Sequence, residues 1–309
     1  MPVFLTGATG FVGGHLLERL LAEGHSVTAL VRDPNSKKAG ALMRQPSSAN
    51  GQLKLVHGDV VEGSGLDDGL HGCDAVIHLV GIISEFGKQK FERVHVRGTE
   101  NVVRAAKRAG VKRFVQMSAI GARPDGISEY QISKYRAEET VRNSGIPFVI
   151  LRPSIIFGPG DGFVNQMVQV MRSAPLIRPV VGSGRSRFRP IYVGDVARCF
   201  IDSLKNDGAL GRIIHLAGTE ELTFEELLNQ IAECIGVRKR PLHIPIPLMM
   251  LAAYVFSFLP VRPPITANQL AMLEEGSTAD TKEMLQVFNF QPIGFAEGLR
   301  RYLCTSKAP

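Results

Sequence analysis

Through the first half of the chain, short apolar runs alternate with segments whose apolar residues recur at helical spacing. Val3-Phe4-Leu5-Thr6 reads as a buried strand, and His15 to Ala22 as the helix that follows it. Ser26 to Val31, Leu53 to His57 and Ala75 to Leu79 predict strands two to four. Arg97 to Ala109, with Val102, Val103, Ala105 and Ala106 at helical spacing, predicts a helix that Gly110 can end before a fifth strand, Arg113 to Met117. Tyr130 to Asn143 is the next helix, and Gly145-Ile146-Pro147 breaks it before a sixth strand, Phe148 to Leu151. This alternation predicts an α/β fold, a doubly wound parallel sheet covered on both faces. Ligands of such sheets bind beyond the carboxyl ends of the strands.

From Arg152-Pro153 the texture changes. Gly158-Pro159-Gly160-Asp161-Gly162, Pro175, Pro179 and Pro190 mark irregular connections. Helices are expected over Phe163 to Met171, Val193 to Leu204, Thr223 to Ile235 and Ala296 to Leu303, and a strand over Arg212 to Leu216. The expected division is a nucleotide-binding domain over 1–152, to which segments near 190–217 return, and a smaller, mostly helical lobe over 153–309. Ile246 to Leu259 is apolar and uncharged, but shorter than the about 20 residues that a spanning helix needs. It is read first as a buried helix of the second lobe. The alternative is an interfacial surface that docks on a membrane or a partner.

Composition narrows the function classes. A 309-residue chain with 44% hydrophobic and 21% charged residues is ordinary for a globular protein. Its formal net charge of +7 is spread among acidic residues, with the main clusters at Lys37-Lys38, Arg185-Arg187-Arg189 and Arg238-Lys239-Arg240. Apart from Phe188 between Arg187 and Arg189, no aromatic residues interleave with them, which argues against nucleic acid and for an anionic cofactor, a phosphorylated substrate or an acidic membrane surface. Cys73, Cys199, Cys234 and Cys304 form no CxxC pair, so a reduced compartment and no metal are expected. Met1-Pro2 leads straight into the first strand, which predicts no leader and a cytoplasmic protein.

Two places carry candidate chemistry. Gly7-Ala8-Thr9-Gly10-Phe11-Val12-Gly13-Gly14 lies between a strand and a helix. Gly7 allows a tight turn, Gly10 lets backbone N–H groups approach a pyrophosphate, and Gly13 lets the helix pack closely on the strand. Tyr130-Gln131-Ile132-Ser133-Lys134 puts a phenol and an ammonium one helical turn apart. Such an ammonium is expected to lower the phenol pKa for proton transfer and can also hold a ribose. Ser118, at the end of the fifth strand, would present a hydroxyl to the same crevice.

Together these residues resemble the short-chain dehydrogenase/reductase superfamily. The extended branch is the best match, through His57-Gly58-Asp59-Val60, His78-Leu79-Val80-Gly81, Val96-Arg97-Gly98-Thr99-Glu100-Asn101, Arg152 to Asp161, Arg189 to Val196, Asp280-Thr281 and Gly298-Leu299. Within it, Gly158 to Asn165 is most similar to the atypical epimerase/dehydratase-like group that includes the Rossmann accessory subunit of respiratory complex I and bacterial relatives. The resemblance implies a Rossmann-type sheet and a catalytic Ser118, Tyr130 and Lys134. It implies a cofactor along Gly7, Thr9, Gly10, Phe11, Val12, Gly13, Arg32, Asp59, Val60, Leu79, Val80, Gly81, Tyr130, Lys134 and Pro153. It also places Arg189 on an anionic substrate group; a solvated basic loop is the alternative.

Two positions depart from the family pattern. The usual asparagine before the Val-x-Gly-Thr phrase is His95, which could alter a proton relay. At the end of the second strand stand Val31, Arg32 and Asp33. Arg32 could meet a 2′-phosphate and Asp33 free ribose hydroxyls, and NADP(H) is favoured over NAD(H). The expected function is an NAD(P)-binding oxidoreductase, epimerase or dehydratase on a small substrate, with phosphorylated and nucleotide-linked compounds among the candidates. The alternative is a nucleotide-binding assembly or sensor subunit of a respiratory or quinone-synthesis complex, peripheral to the inner membrane through 246–259.

Overall fold

A computed structural model describes residues 1–44, 51–174, 176–257 and 265–304. The chain runs β1 (Pro2–Thr6), α1 (Phe11–Ala22), β2 (Ser26–Val31), α2 (Lys37–Leu42), β3 (Gln52–His57), α3 (Leu66–Leu70), β4 (Ala75–His78), α4 (Gly98–Arg108), β5 (Arg113–Met117), α5 (Glu129–Arg142) and β6 (Phe148–Pro153). A π-helical turn, Glu92–Arg97, leads into α4. There follow β7 (Ile156–Phe157), α6 (Phe163–Ser173), β8 (Ile177–Val181), β9 (Arg187–Phe188), β10 (Ile191–Tyr192), α7 (Val193–Asp202), β11 (Arg212–Leu216), β12 (Leu222–Thr223), α8 (Phe224–Cys234), β13 (Arg240–Ile244), α9 (Ile246–Ser257), α10 (Ala267–Glu275), α11 (Lys282–Phe288) and α12 (Phe295–Tyr302).

Seven strands form one sheet in the order β11-β6-β5-β4-β1-β2-β3, and every pairing in it is parallel. The predicted doubly wound α/β architecture is therefore present. The apolar runs are explained by burial on both faces: Val3, Phe4, Leu5, Val76, Ile77, Phe114 and Val115 are inaccessible. Leu16, Leu17 and Leu20 of α1 pack on one face with Phe200 of α7 and Met284 of α11. Val102, Ala105 and Ala106 of α4 cover the other face with Leu66 and Leu70 of α3. A third cluster, around Phe157, Phe188, Phe224, Leu227, Ile231 and Phe295, forms the core of the second lobe.

The sheet order reverses between β1 and β4, because the chain leaves β1 toward β2 and β3 and returns on the other side. A switch point of this kind opens a crevice at the carboxyl edge of the sheet. All strands being parallel, Gly7, Arg32, Asp59, Leu79, Ser118 and Pro153 lie at that one edge.

Two expectations are corrected. Cys234 and Cys304 form a disulfide across 70 residues, because α12 packs on α8 and brings the two positions together; the expectation of reduced cysteines fails for this pair. Nor is Ile246–Ser257 a buried helix. Ile246, Met249 and Ala253 turn inward while Pro247, Leu248, Met250, Leu251 and Tyr254 are exposed. Phe258 and Leu259 of that stretch lie outside the described residues. Among those residues no helix is long and apolar enough to cross a membrane.

Candidate active site

The turn after β1 is built on close backbone approaches. Gly7 has φ +81°, and a Cβ there would sit 3.2 Å from Leu79 at the start of the loop after β4. A Cβ at Gly13 would lie 2.1 Å from the Gly7 carbonyl oxygen. The Gly10 N–H donates to that same oxygen at 2.9 Å, and Gly10 begins α1 without a side-chain cap. The first amides of α1 are thus left for an anion, and Thr9, Phe11 and Val12 frame the turn.

Beside this turn the protein buries an unusual amount of polar chemistry. Lys134 is 3% exposed, and its Nζ donates to the Met117 carbonyl at 2.9 Å. Burial pulls its ammonium down to about 8, with the Glu138 carboxylate opposing. Glu138 is itself inaccessible and accepts from both Nε and Nη2 of Arg152, at 2.8 and 2.5 Å. Gly81 leaves room at this point, since a Cβ there would stand 3.3 Å from Lys134 Nζ and 3.4 Å from His95 Nε2.

Tyr130 shares a face of α5 with Lys134 and packs edge-on against His95 and Phe91, at centroid distances of 5.6 and 5.9 Å. The expected lowering of its pKa is not what this geometry produces. Burial pushes the phenol up to about 12, and the Lys134 ammonium is committed to the Met117 carbonyl. Burial thus favours the protonated form of the Tyr130 hydroxyl.

His95 is held in one tautomer. The Ile82 N–H donates to Nε2 at 3.0 Å, so the proton resides on Nδ1, which donates to Ser133 Oγ at 2.9 Å. Ser133 in turn donates to the Tyr130 carbonyl at 2.8 Å. Burial, aided by the Lys134 charge, pulls His95 down to about 2. Both ring nitrogens are thus used to position the first turn of α5 and the loop after β4. His78 is likewise neutral, lowered to about 3, between Thr6 Oγ1 at 2.6 Å and Thr99 Oγ1 at 3.3 Å. The sequence reading missed Thr6, Thr99 and Ser133. Ser133, three residues after Tyr130, was the readable signal.

Ser118 is 3% exposed, one residue beyond β5, and its N–H donates to the Leu151 carbonyl at 2.8 Å. Its Oγ has no hydrogen-bond partner. A buried hydroxyl left unpaired is costly in a fold and marks a place for a polar ligand atom.

The remaining candidates are more dispersed. Asp59 Oδ1 accepts from the Val61 N–H at 2.7 Å, and Asn101 Nδ2 donates to the Val60 carbonyl at 2.9 Å, which holds the loop after β3. Asp33 Oδ1 accepts from the Asn35 N–H at 2.9 Å, and both Arg32 and Asp33 are exposed. Arg189 lies near the end of edge strand β11, beside the segment that follows Pro153. Its carbonyl accepts from Gly218 N–H at 3.1 Å, and its Nε meets Glu221 Oε2 at 3.2 Å. Arg187 reaches Oε1 of the same carboxylate at 2.9 Å.

Residues 3–217 match the NAD dependent epimerase/dehydratase family. The chain belongs to that family. A ceramide reductase of Caulobacter vibrioides is 31% identical over 81% of this chain and 75% of the relative. The mitochondrial NADH dehydrogenase [ubiquinone] 1 alpha subcomplex subunit 9 of Arabidopsis thaliana is 28% identical over 93% of this chain and 72% of its own length. Among solved structures, the UDP-glucuronic acid 4-epimerase of Bacillus cereus in complex with NAD superposes with a TM-score of 0.75 at 20% identity, over 97% of this chain and 96% of that one; this likeness concerns the fold. Family membership supports an enzyme of the NAD-dependent epimerase, reductase or dehydratase kind.

Proposed function

We propose that this family member is an NAD(P)-dependent oxidoreductase or epimerase/dehydratase-type enzyme whose reacting carbonyl or secondary alcohol sits at Ser118, Tyr130 and Lys134. The observation that carries the reading is the buried, unpartnered Ser118 hydroxyl at the sheet edge that also bears the glycine turn. A bound nicotinamide supplies hydride transfer. Gly7, Thr9, Gly10, Phe11, Val12 and Gly13 would cradle the pyrophosphate, Asp59 and Val60 the adenine side, and Leu79, Val80, Gly81 and Pro153 the nicotinamide half. Ser118 would donate to the substrate oxygen. Tyr130, kept protonated by burial, would give that oxygen its proton, and Lys134 would hold the ribose and stabilise the resulting phenolate.

Exposed Ile83, Phe86 and Ile127, on the loops flanking this cluster, suit a substrate with an apolar part, as does the similarity to a protein named for ceramide. Arg189 would be the contact for an anionic substrate group and would have to leave Glu221 to make it. Arg32, exposed just beyond the second strand, would meet a 2′-phosphate, and on that ground NADP(H) is favoured over NAD(H).

The test is Tyr130→Phe, assayed by NADPH and NADH oxidation against a panel of long-chain ketones. Turnover should fall by about 10³-fold while reduced-cofactor binding, read by nicotinamide fluorescence, is unchanged. Turnover that survives the substitution sinks the assignment.

A second reading, a cofactor-stabilised subunit of a respiratory or quinone-synthesis assembly, is favoured by the similarity to the Arabidopsis subunit. It predicts ligand-dependent thermal stabilisation with no oxidation of either cofactor by any of the ketones.

A further inference from the structure

The helix α9 breaks the rule that governs the other surface helices of the fold. Ile246–Ser257 contains no charged residue, yet over Ile246 to Tyr254, where the side chains are described, the stripe Ile246, Met249 and Ala253, at helical spacing, faces the protein. Ile246 seats the start of the helix against the turn after β8, where a Cβ on Gly182 would meet its Cδ1 at 3.1 Å. On the outward face Leu248 is 57%, Leu251 60% and Met250 41% exposed. The strand that leads into α9 adds the exposed Leu242, and Leu176, at the start of its partner strand β8, is exposed as well.

The chain segment that carries this face is basic, although Glu225 of α8 stands beside the strand that leads into it. From Cys234 to Leu273 the sequence holds no aspartate or glutamate, while it holds Arg238, Lys239, Arg240 and Arg262; Arg262 lies outside the described residues. Lys239 is committed to the Met171 carbonyl at 2.6 Å and to that of Ala174. Arg238 and Arg240 remain exposed on the approach to the helix. His243 lies 3.5 Å from Glu225.

We propose that the outward face of α9, with Arg238 and Arg240, docks this protein on an anionic lipid bilayer. Twelve residues extend about 18 Å, too little to cross about 30 Å of hydrocarbon. The helix therefore lies in the interfacial plane, with leucine and methionine side chains in the acyl boundary and the guanidinium groups among the phosphates. Charge complementarity of the exposed Arg238 and Arg240 with anionic headgroups argues for a bilayer over a second copy of this chain, whose approach to α9 carries the same basic residues. The inference stands apart from the cofactor chemistry, because no residue in it belongs to the crevice at β1 and β4.

The test is co-sedimentation of the full chain with phosphatidylcholine vesicles, with and without phosphatidylglycerol, at low and high salt. The expected result is pelleting with the anionic vesicles that weakens as salt rises. Leu248→Ser/Leu251→Ser should reduce the bound fraction by about tenfold or more, and Arg238→Glu/Arg240→Glu should abolish it. Unchanged circular dichroism and thermal midpoint would show that both variants fold. Failure to pellet with anionic vesicles, or pelleting that the leucine substitutions leave unchanged, overturns the proposal. So does an oligomer that Leu248→Ser/Leu251→Ser splits to monomers, which would assign the face to a second copy. Cofactor titration is read separately, so either result leaves the assignment of the crevice untouched.

Discussion

Lys134 is 3% exposed and Leu251 60%, so the molecule hides a charge at one place and shows an aliphatic side chain at another. Each inverts the ordinary distribution of residues between interior and surface. At the crevice, the inversion is supported from all sides: Lys134 has a carbonyl, His95 two fixed partners, and Glu138 a bidentate arginine. Ser118 Oγ is left without a partner, as is Gln116 Oε1 on the preceding strand β5. On α9 the exposed apolar residues have basic neighbours and no nearby carboxylate in the sequence. The difference teaches where to look for ligands. A preorganised polar cluster with one unsatisfied hydroxyl suits a small polar group, whereas a broad apolar face with a basic margin suits an extended anionic surface.

The largest expected effect breaks the buried half of this comparison. The Lys134 pKa falls from 10.5 to about 8 on folding, so below pH 8 the native state bears the full cost of burying a charge. As pH rises from about 8 to 10.5 the unfolded chain binds more protons than the native one, and this group alone should raise stability by about 3 kcal/mol. Lys134→Met should remove that slope, as read by urea unfolding of both proteins across the window. An identical slope in both would mean that the lysine is not desolvated. Next comes Ser118→Ala. It removes an unpaired hydroxyl, so stability should hold or rise by up to about 1 kcal/mol while turnover falls by about 10²-fold; equal losses of both would make the serine structural. The smallest effect belongs to the exposed half. Leu251→Ser should change unfolding free energy by no more than about 0.5 kcal/mol, and a larger loss would show that α9 packs more fully than its exposure indicates.

The sheet was legible because β1 to β6 are largely apolar runs separated by glycine, proline and amphipathic segments; β1, β4 and β5 are buried on both faces, whereas β3 at the sheet edge stays partly exposed. The helices α6, α7, α8 and α12 were legible from periodicity to within a residue or two. The strand β13 was not. Arg240-Pro241-Leu242-His243-Ile244 lies largely exposed in a two-stranded ribbon with β8, so it has neither a continuous apolar run nor a buried alternating face. For α10 a start signal existed: Thr266 and Gln269 form a capping box, whose pattern is readable in sequence. The Cys234–Cys304 pairing depends on how α12 packs against α8, which no spacing within the chain encodes.

In the crevice, residue identities were readable but their electrostatics were not. The four-residue spacing of Tyr130 and Lys134 suggested a lowered phenol. Burial instead pushes the phenol up, and the ammonium points to the Met117 carbonyl. Likewise, His95 was seen as a departure from the family pattern, but only the Ile82 N–H and Ser133 reveal it as a neutral ring that positions α5.

The most direct test of the central claim is a parallel titration of the purified protein with NADPH and NADH, followed by nicotinamide fluorescence at fixed salt. Saturable binding of both, with NADPH tighter by about tenfold through the Arg32 guanidinium, is the expected result. Folded protein that binds neither cofactor would contradict it.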